Sequence, residues 1–294
     1  MKELTTQASN LKFAADGPRK SCVKHLSDTA DLIANPTVVI IAIVSALTAA
    51  ASYFVSEYIL NIVHTESVFL LGSYVTFTSY FILHYYLVKH SSSYQNVDED
   101  KQFYVLSNLI KTAVLAAMTP SVLHLLYETL ILDEWHSQRI HNIGCMYCIP
   151  DFVSLLLVNH MTKATKGHHI CVCIFSYLSR NNDYAQENIC RLMVVYGIFS
   201  TLAFLVNFLL ASRFLNVSRR MFVTLSILSL IIYASACAFN WAWQVYYVAR
   251  LISLDNHWSV YVYCALLCVV VYDDIVLNKW LIKNISRSSK DKTV

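Results

Sequence analysis

The sequence predicts an all-α, polytopic transmembrane helix bundle of about eight spans, or seven, and three observations carry that prediction. Hydrophobic residues make up 56% of the 294-residue chain and charged ones only 14%, too little charge to cover a water-soluble domain of this length. Apolar runs of about 20 residues, the length that crosses a bilayer core at about 1.5 Å per helical residue, recur between short polar segments. Lys and Arg alternate across those segments. With both termini cytosolic, 17 of the 22 fall on that side, Arg139, Arg180, Arg191 and Arg250 lie opposite, and Lys111 is inside a span, as the positive-inside rule expects. A seven-span arrangement breaks this alternation.

Residues 1–36 read as a polar cytosolic tail and not as a secretory signal, because the apolar stretch after them begins too late and runs too long. Residues 37–60 form an additional N-terminal span with Glu57 near its far end. Ala42, Ala46 and Ala50 recur on it every four residues, spacing that lets a second helix approach closely, within the chain or in a homo- or hetero-oligomer. Val68–Val88 is uncharged, with His84 near its end. The polar segment Lys89–Gln102 leads into Tyr104–Tyr127, whose interior holds Lys111 and Pro120, and a lysine at that depth must face protein or water. Glu128–Asn142 reads as a polar loop with Trp135 as an interface anchor. Ile143–Thr162 carries Pro150 and Asp151, Lys163–Gly167 turns the chain, and His168–Ser179 supplies only about 12 residues of helix. That element borrows flanking residues or stays short among its neighbours. Leu192–Ser212, Met221–Ala249 and Trp258–Ile282 complete the spans, the last with Asp273 and Asp274, and residues 284–294 form a cytosolic tail.

The net charge of +3 is scattered, which argues against nucleic acid as a partner. Nine cysteines fall mostly in apolar runs, where they act as small hydrophobes, with no secreted-type disulfide framework. Cys145 and Cys148 form a lone CxxC with no second ligand pair at zinc spacing. No metal site and no resident cofactor are therefore expected. The sequons Asn216-Val-Ser218 and Asn284-Ile-Ser286 fall on the cytosolic side, where no glycan is added. The end Lys290-Asp-Lys292-Thr-Val is similar to the cytosolic dilysine signal that returns membrane proteins to the endoplasmic reticulum.

The polar residues inside the spans are the candidate site. Two adjacent imidazoles, His168 and His169, open an apolar helix, and polar groups at membrane depth need partners or water. His84, His160, Lys111, Asp273 and Asp274 fall toward the same cytosolic ends. One reading is a polar chamber in which a histidine acts as general base near neutral pH and a carboxylate orients it. The other is interhelical hydrogen bonding, the favoured reading for His84 and His160. Adjacent helical residues point about 100° apart, so one imidazole at most projects squarely into a given chamber.

The order Asp151, the His168-His169 pair, then Phe199-Ser200-Thr201-Leu-Ala-Phe204-Leu-Val-Asn207 to Arg213, and finally Asn278, Trp280 and Lys283 resembles the TLC domain over residues 68–283. It is closer to the smaller TLC-domain proteins than to the ceramide synthases. The resemblance implies a helix bundle around a lipid-accommodating cavity in the endoplasmic-reticulum membrane. It assigns catalytic positions to His168 and His169, with Asp151 as a candidate carboxylate, and ligand contacts to Ser200, Thr201, Asn207, Arg213 and Trp280; Asp273 and Asp274, outside the family pattern, are the candidate substitutes for its missing acid. One departure counts against a ceramide synthase proper: the run Cys190–Phe199, where that family places an acidic motif, has no acid.

Three functions stay open from the sequence. The first is a multi-pass protein of lipid metabolism or membrane lipid homeostasis that binds or senses lipid. The second is an acyltransferase of sphingoid-base N-acyltransferase type, with acyl-CoA as co-substrate. The third is an unrelated receptor or channel. Membrane lipids are the expected partners.

Overall fold

The computed structural model describes residues 38–159, 161–254 and 258–290, so His160, the N-terminal tail and Lys292 of the dilysine-like end lie outside the described residues. Among the described residues all regular structure is helical. The helices are α1 (Val38–Phe54), continued by a π-helical turn (Val55–Ile59), α2 (Thr65–His90), the single turn α3 (Ser92–Gln95), α4 (Glu99–Ile131), α5 (Ser137–Leu157), α6 (Lys163–Ser179), α7 (Ile189–Thr201), α8 (Phe204–Ser212), α9 (Arg219–Ser253) and α10 (Ser259–Lys290).

Six helical stretches are long and apolar enough to cross a membrane: Ile41–Ile59, α2, α4, α5, α9 and α10 up to Ile285. The pair α7 and α8, bent by 48°, makes a seventh when taken as one span. The remaining candidate, α6, has 17 residues, roughly 25 Å of rise against a bilayer core of about 30 Å. Large apolar side chains face outward along the bundle, among them Leu70 and Leu71 of α2 and Ile231, Phe239 and Val245 of α9. Such a surface suits lipid and not water.

Helix α4 is the centre of the bundle and packs against α1, α2, α5, α7 and α8, while α10 closes the far side against α6 and α9. Leu115, Met118 and Val122 of α4 meet Leu192 and Ile198 of α7 and Tyr263 of α10 in one buried cluster. Helices α2 and α5 approach so closely that a Cβ on Gly72 would lie 2.6 Å from Ile149 Cδ1. Helix α1 is peripheral, and its Ala42, Ala46 and Ala50 are all exposed.

Three boundaries differ from hydropathy for local reasons. Helix α5 begins well before Ile143, because the polar stretch ahead of it is held by contacts that hydropathy does not register. Asn142, fully buried, donates to the carbonyls of Ile59, Leu60 and Ile62 and accepts from Thr65 Oγ1 at 2.8 Å. It thereby satisfies carbonyls left over where the first span ends. Helix α6 begins at Lys163 and not at His168. Thr162 caps it by accepting from the Thr165 N–H at 3.2 Å, and Lys163 and Lys166 stay exposed. The predicted span Leu192–Ser212 breaks at Leu202–Ala203. There the N–H groups turn to carbonyls three residues back, and Thr201 Oγ1 bonds Ile198 O at 2.6 Å and Gly197 O at 3.1 Å, back-bonding of the kind that bends helices.

The two ends of the bundle differ. At one end ion pairs tie helix termini together: Arg180 to Glu66 at 2.7 Å, Arg139 to Glu128 at 3.3 Å and Arg250 to Glu187. Arg191 donates to the carbonyls of Tyr184 and Ala185, each at 2.9 Å, and lies over the Trp135 ring. Burial pushes the Tyr184 phenol in that loop well up from its ordinary pKa. The opposite end, where α4 begins and α5 ends, holds the polar cluster.

Candidate functional site

Four helices bring ionisable side chains together at that end. Asp151, directly after Pro150 on α5, has no exposed surface. Lys111 reaches across from α4 and ion-pairs with Asp151 Oδ1, which explains how a lysine stands inside a span. His169 of α6 places Nδ1 3.0 Å from the same oxygen. His168, turned about 100° further round the helix, places its Nδ1 3.4 Å from Asp273 Oδ2 of α10. The two rings stand edge to face with centroids 5.7 Å apart.

These contacts are close without being aligned. Asp151 Oδ2, His168 Nδ1 and His169 Nδ1 are all buried and none makes a hydrogen bond, so the short imidazole–carboxylate distances are proximity and not directed bonds. Leaving one buried polar atom without a partner costs about 1–3 kcal/mol. Three such atoms in one place mark a cluster arranged for something other than stability.

A cavity of about 250 Å³ opens beside the cluster. His168, His169, Lys111 and Asp273 line it, as do Ser200, Asn207, Arg213 and Trp280, while Asp151 sits behind the wall and acts on it through Lys111 and His169. Arg213, just past α8, lies 5.3 Å from the Tyr104 ring, 4.6 Å from Phe214 and 5.7 Å from Trp280. Among the described residues no carboxylate pairs with it. Asn207 is held by its own helix through Nδ2 to Ala203 O at 2.9 Å.

Two candidate residues point elsewhere. Thr201 is buried and bonded back into α7. Asp274 accepts from Tyr233 at 2.7 Å, from Trp241 at 3.4 Å and from Tyr196, and so faces the α7–α9 side. His84 shares a 3.0 Å hydrogen bond with the Tyr94 phenol. Cys145 and Cys148 are buried, and Cys148 Sγ lies 3.7 Å from Cys173 Sγ beside a second, mostly apolar cavity of about 420 Å³ between α2, α5 and α6.

Beside Lys111, which the sequence singles out, the site includes residues that motif reading passed over. Tyr104, Ser107, Asn108 and Lys111 all line the 250 Å³ cavity. Their spacing of i, i+3, i+4 and i+7 is a polar stripe on an otherwise apolar helix, a signal that was present in the sequence. Tyr147 and Tyr233 carry no such signal, since a tyrosine in an apolar run reads as core. When the chain is compared with protein-family models, with curated proteins and with solved structures, none of them matches.

Proposed function

We propose that this chain is a TLC-type multi-pass protein of the endoplasmic-reticulum membrane, with both termini cytosolic, that takes the headgroup end of a lipid into the 250 Å³ cavity and acts in lipid metabolism or lipid homeostasis. The observation that carries this reading is the pairing of chemistries in one cavity of an outwardly apolar bundle. Arg213, without a carboxylate partner among the described residues and boxed by aromatic rings, lines the same cavity as the imidazole–carboxylate cluster. A guanidinium in that setting suits a phosphate or carboxylate. The direct test is photo-crosslinking with a photoactivatable phospholipid in purified membranes. Label on residues lining the cavity, lost in Arg213→Ala, is the expected result; label confined to the outer faces of α1, α2 and α9 sinks the reading.

A second reading, acyl-CoA-dependent acyl transfer, is favoured by the 3.4 Å approach of Asp273 to His168. It gives the histidine a carboxylate although the run Cys190–Phe199 has none. In that chemistry the imidazole takes the proton of an attacking amine or hydroxyl as its N or O bonds to the acyl carbon, and the departing CoA thiolate takes a proton in return. Lipid profiles of cells expressing the chain or a His168→Ala variant, matched for abundance and location, separate the two. A lipid class raised by the wild type alone selects acyl transfer, and equal profiles select binding.

A further inference from the structure

Asp151, His168 and His169 also share a geometry as a group of three. A carboxylate oxygen of Asp151 and one ring nitrogen from each of His168 and His169 lie within 4.8 Å of one another, all three residues buried. Beside them, Asp151 Oδ2 and both Nδ1 atoms are buried without a hydrogen-bond partner. A divalent cation takes a lone pair from each in one step. Two imidazoles and one carboxylate form the donor set of catalytic zinc sites and of non-haem ferrous sites. Ligands at about 2.0 Å in a tetrahedral array stand roughly 3.3 Å apart, so a small inward movement of these side chains completes the geometry.

We infer that Asp151, His168 and His169 form a site for a divalent transition metal of the zinc type, with its remaining position turned to the cavity. Lys111 is the obvious objection, since an ammonium beside a dication is repulsive. Its geometry limits the conflict. It holds Asp151 Oδ1, the oxygen that His169 Nδ1 also approaches at 3.0 Å, while Oδ2 is without a partner, and a monodentate carboxylate ligand needs one oxygen only. Asp273, 3.4 Å from His168 Nδ1, supplies a second negative charge close by. The sequence could not show this triad, because Asp151 comes from α5 and the imidazoles from α6, without the compact spacing of a zinc motif. Polarisation of a lipid carbonyl or phosphoryl oxygen at the open position rests on the lipid reading, whereas metal uptake does not. With His168 ligating a metal its ring is no longer free as a general base, and the binding reading is the one the site serves.

The test is the metal content of the full-length protein purified in detergent without chelator, followed by titration of the chelated protein with Zn²⁺ and with Co²⁺ as a spectroscopic probe. The expected result is about one ion per chain, a visible Co²⁺ ligand-field band, and loss of both in Asp151→Asn and His169→Ala, with His84→Ala keeping them. Because either site variant can fail to fold, Lys111→Met supplies an independent sign. Removal of the competing ammonium tightens Zn²⁺ binding roughly tenfold or more, and Zn²⁺ raises the variant's unfolding temperature. Folded wild type that takes up no Zn²⁺ or Co²⁺, metal retained equally in the site variants, or Lys111→Met that is destabilised and unaffected by Zn²⁺ would each overturn the proposal. None of these outcomes depends on lipid capture, so the two proposals fail separately.

Discussion

Asp273 and Asp274 are chain neighbours on α10, and the helix sends them to opposite kinds of surroundings. Asp274 is 4% exposed and receives hydrogen bonds from Tyr196, Tyr233 and Trp241 on two other helices, a buried carboxyl group with a set of donors built round it. Asp273 lines the cavity, and its one ion-pair contact among the described residues is His168 Nδ1. The same contrast separates the two regions at large. The Asp274 carboxylate has its donors within the protein, with single orphans one turn away at Asn278 Oδ1 and Ser229 Oγ, while around Asp151 and the imidazoles three buried atoms lack partners together. Satisfied networks specify a packing; unsatisfied groups beside a cavity are left for a ligand or a reaction.

The sharpest way to break that comparison is to remove a charge from each region. Asp151→Ala strips Lys111, whose side chain is 11% exposed, of its carboxylate, and an uncompensated buried charge costs about 3–5 kcal/mol. Thermal unfolding in detergent reads this directly, and an unchanged midpoint would show that Lys111 has water or another partner. The next largest effect belongs to Asp274→Asn, which turns charge-assisted bonds into neutral ones and presents an amide to three donors. A loss of about 1–3 kcal/mol is expected, with lipid capture changed only as abundance changes. Asp273→Asn is the matched control. Its stability should stay within about 0.5 kcal/mol of the wild type, while any His168-dependent change in cellular lipids disappears. If the two asparagine variants are equally stable, the distinction between a structural and an available carboxylate is wrong.

Six of the about eight expected spans, or seven with the bent pair α7 and α8 taken as one, were legible from hydropathy because lipid imposes a simple rule, about 20 apolar residues per crossing. What that rule misses is local hydrogen bonding. The Thr162 cap, the Asn142 hub and the Thr201 back-bonds moved or broke the ends of three elements, and each is a single polar side chain in a stretch whose hydropathy does not reveal its partner. The site divides in the same way. His168, His169, Asp151 and Asp273 stood out because charge and imidazole are costly at membrane depth. That Lys111 answers Asp151, that His168 meets Asp273, and that Asp274 turns away depend on which faces of α4, α5, α6 and α10 meet. Sequence order across four helices does not encode that face choice, although the stripe from Tyr104 to Lys111 did mark the polar side of α4.

Tyr233 stands on the boundary between the two regions and gives the smallest and most discriminating test. Its hydroxyl donates to Asp274 at 2.7 Å, yet the same side chain lines the cavity. Tyr233→Phe removes the bond and keeps the ring. Interhelical hydrogen bonds in membranes average about 0.6 kcal/mol and reach about 1.7, and Asp274 retains Tyr196 and Trp241, so a cost near the lower figure is expected in thermal unfolding. Lipid capture should persist, because on this account the ring is wall and the hydroxyl belongs to the fold. Capture abolished at near-normal stability would mean that the Asp274 network reaches into the cavity, and that the two regions work as one.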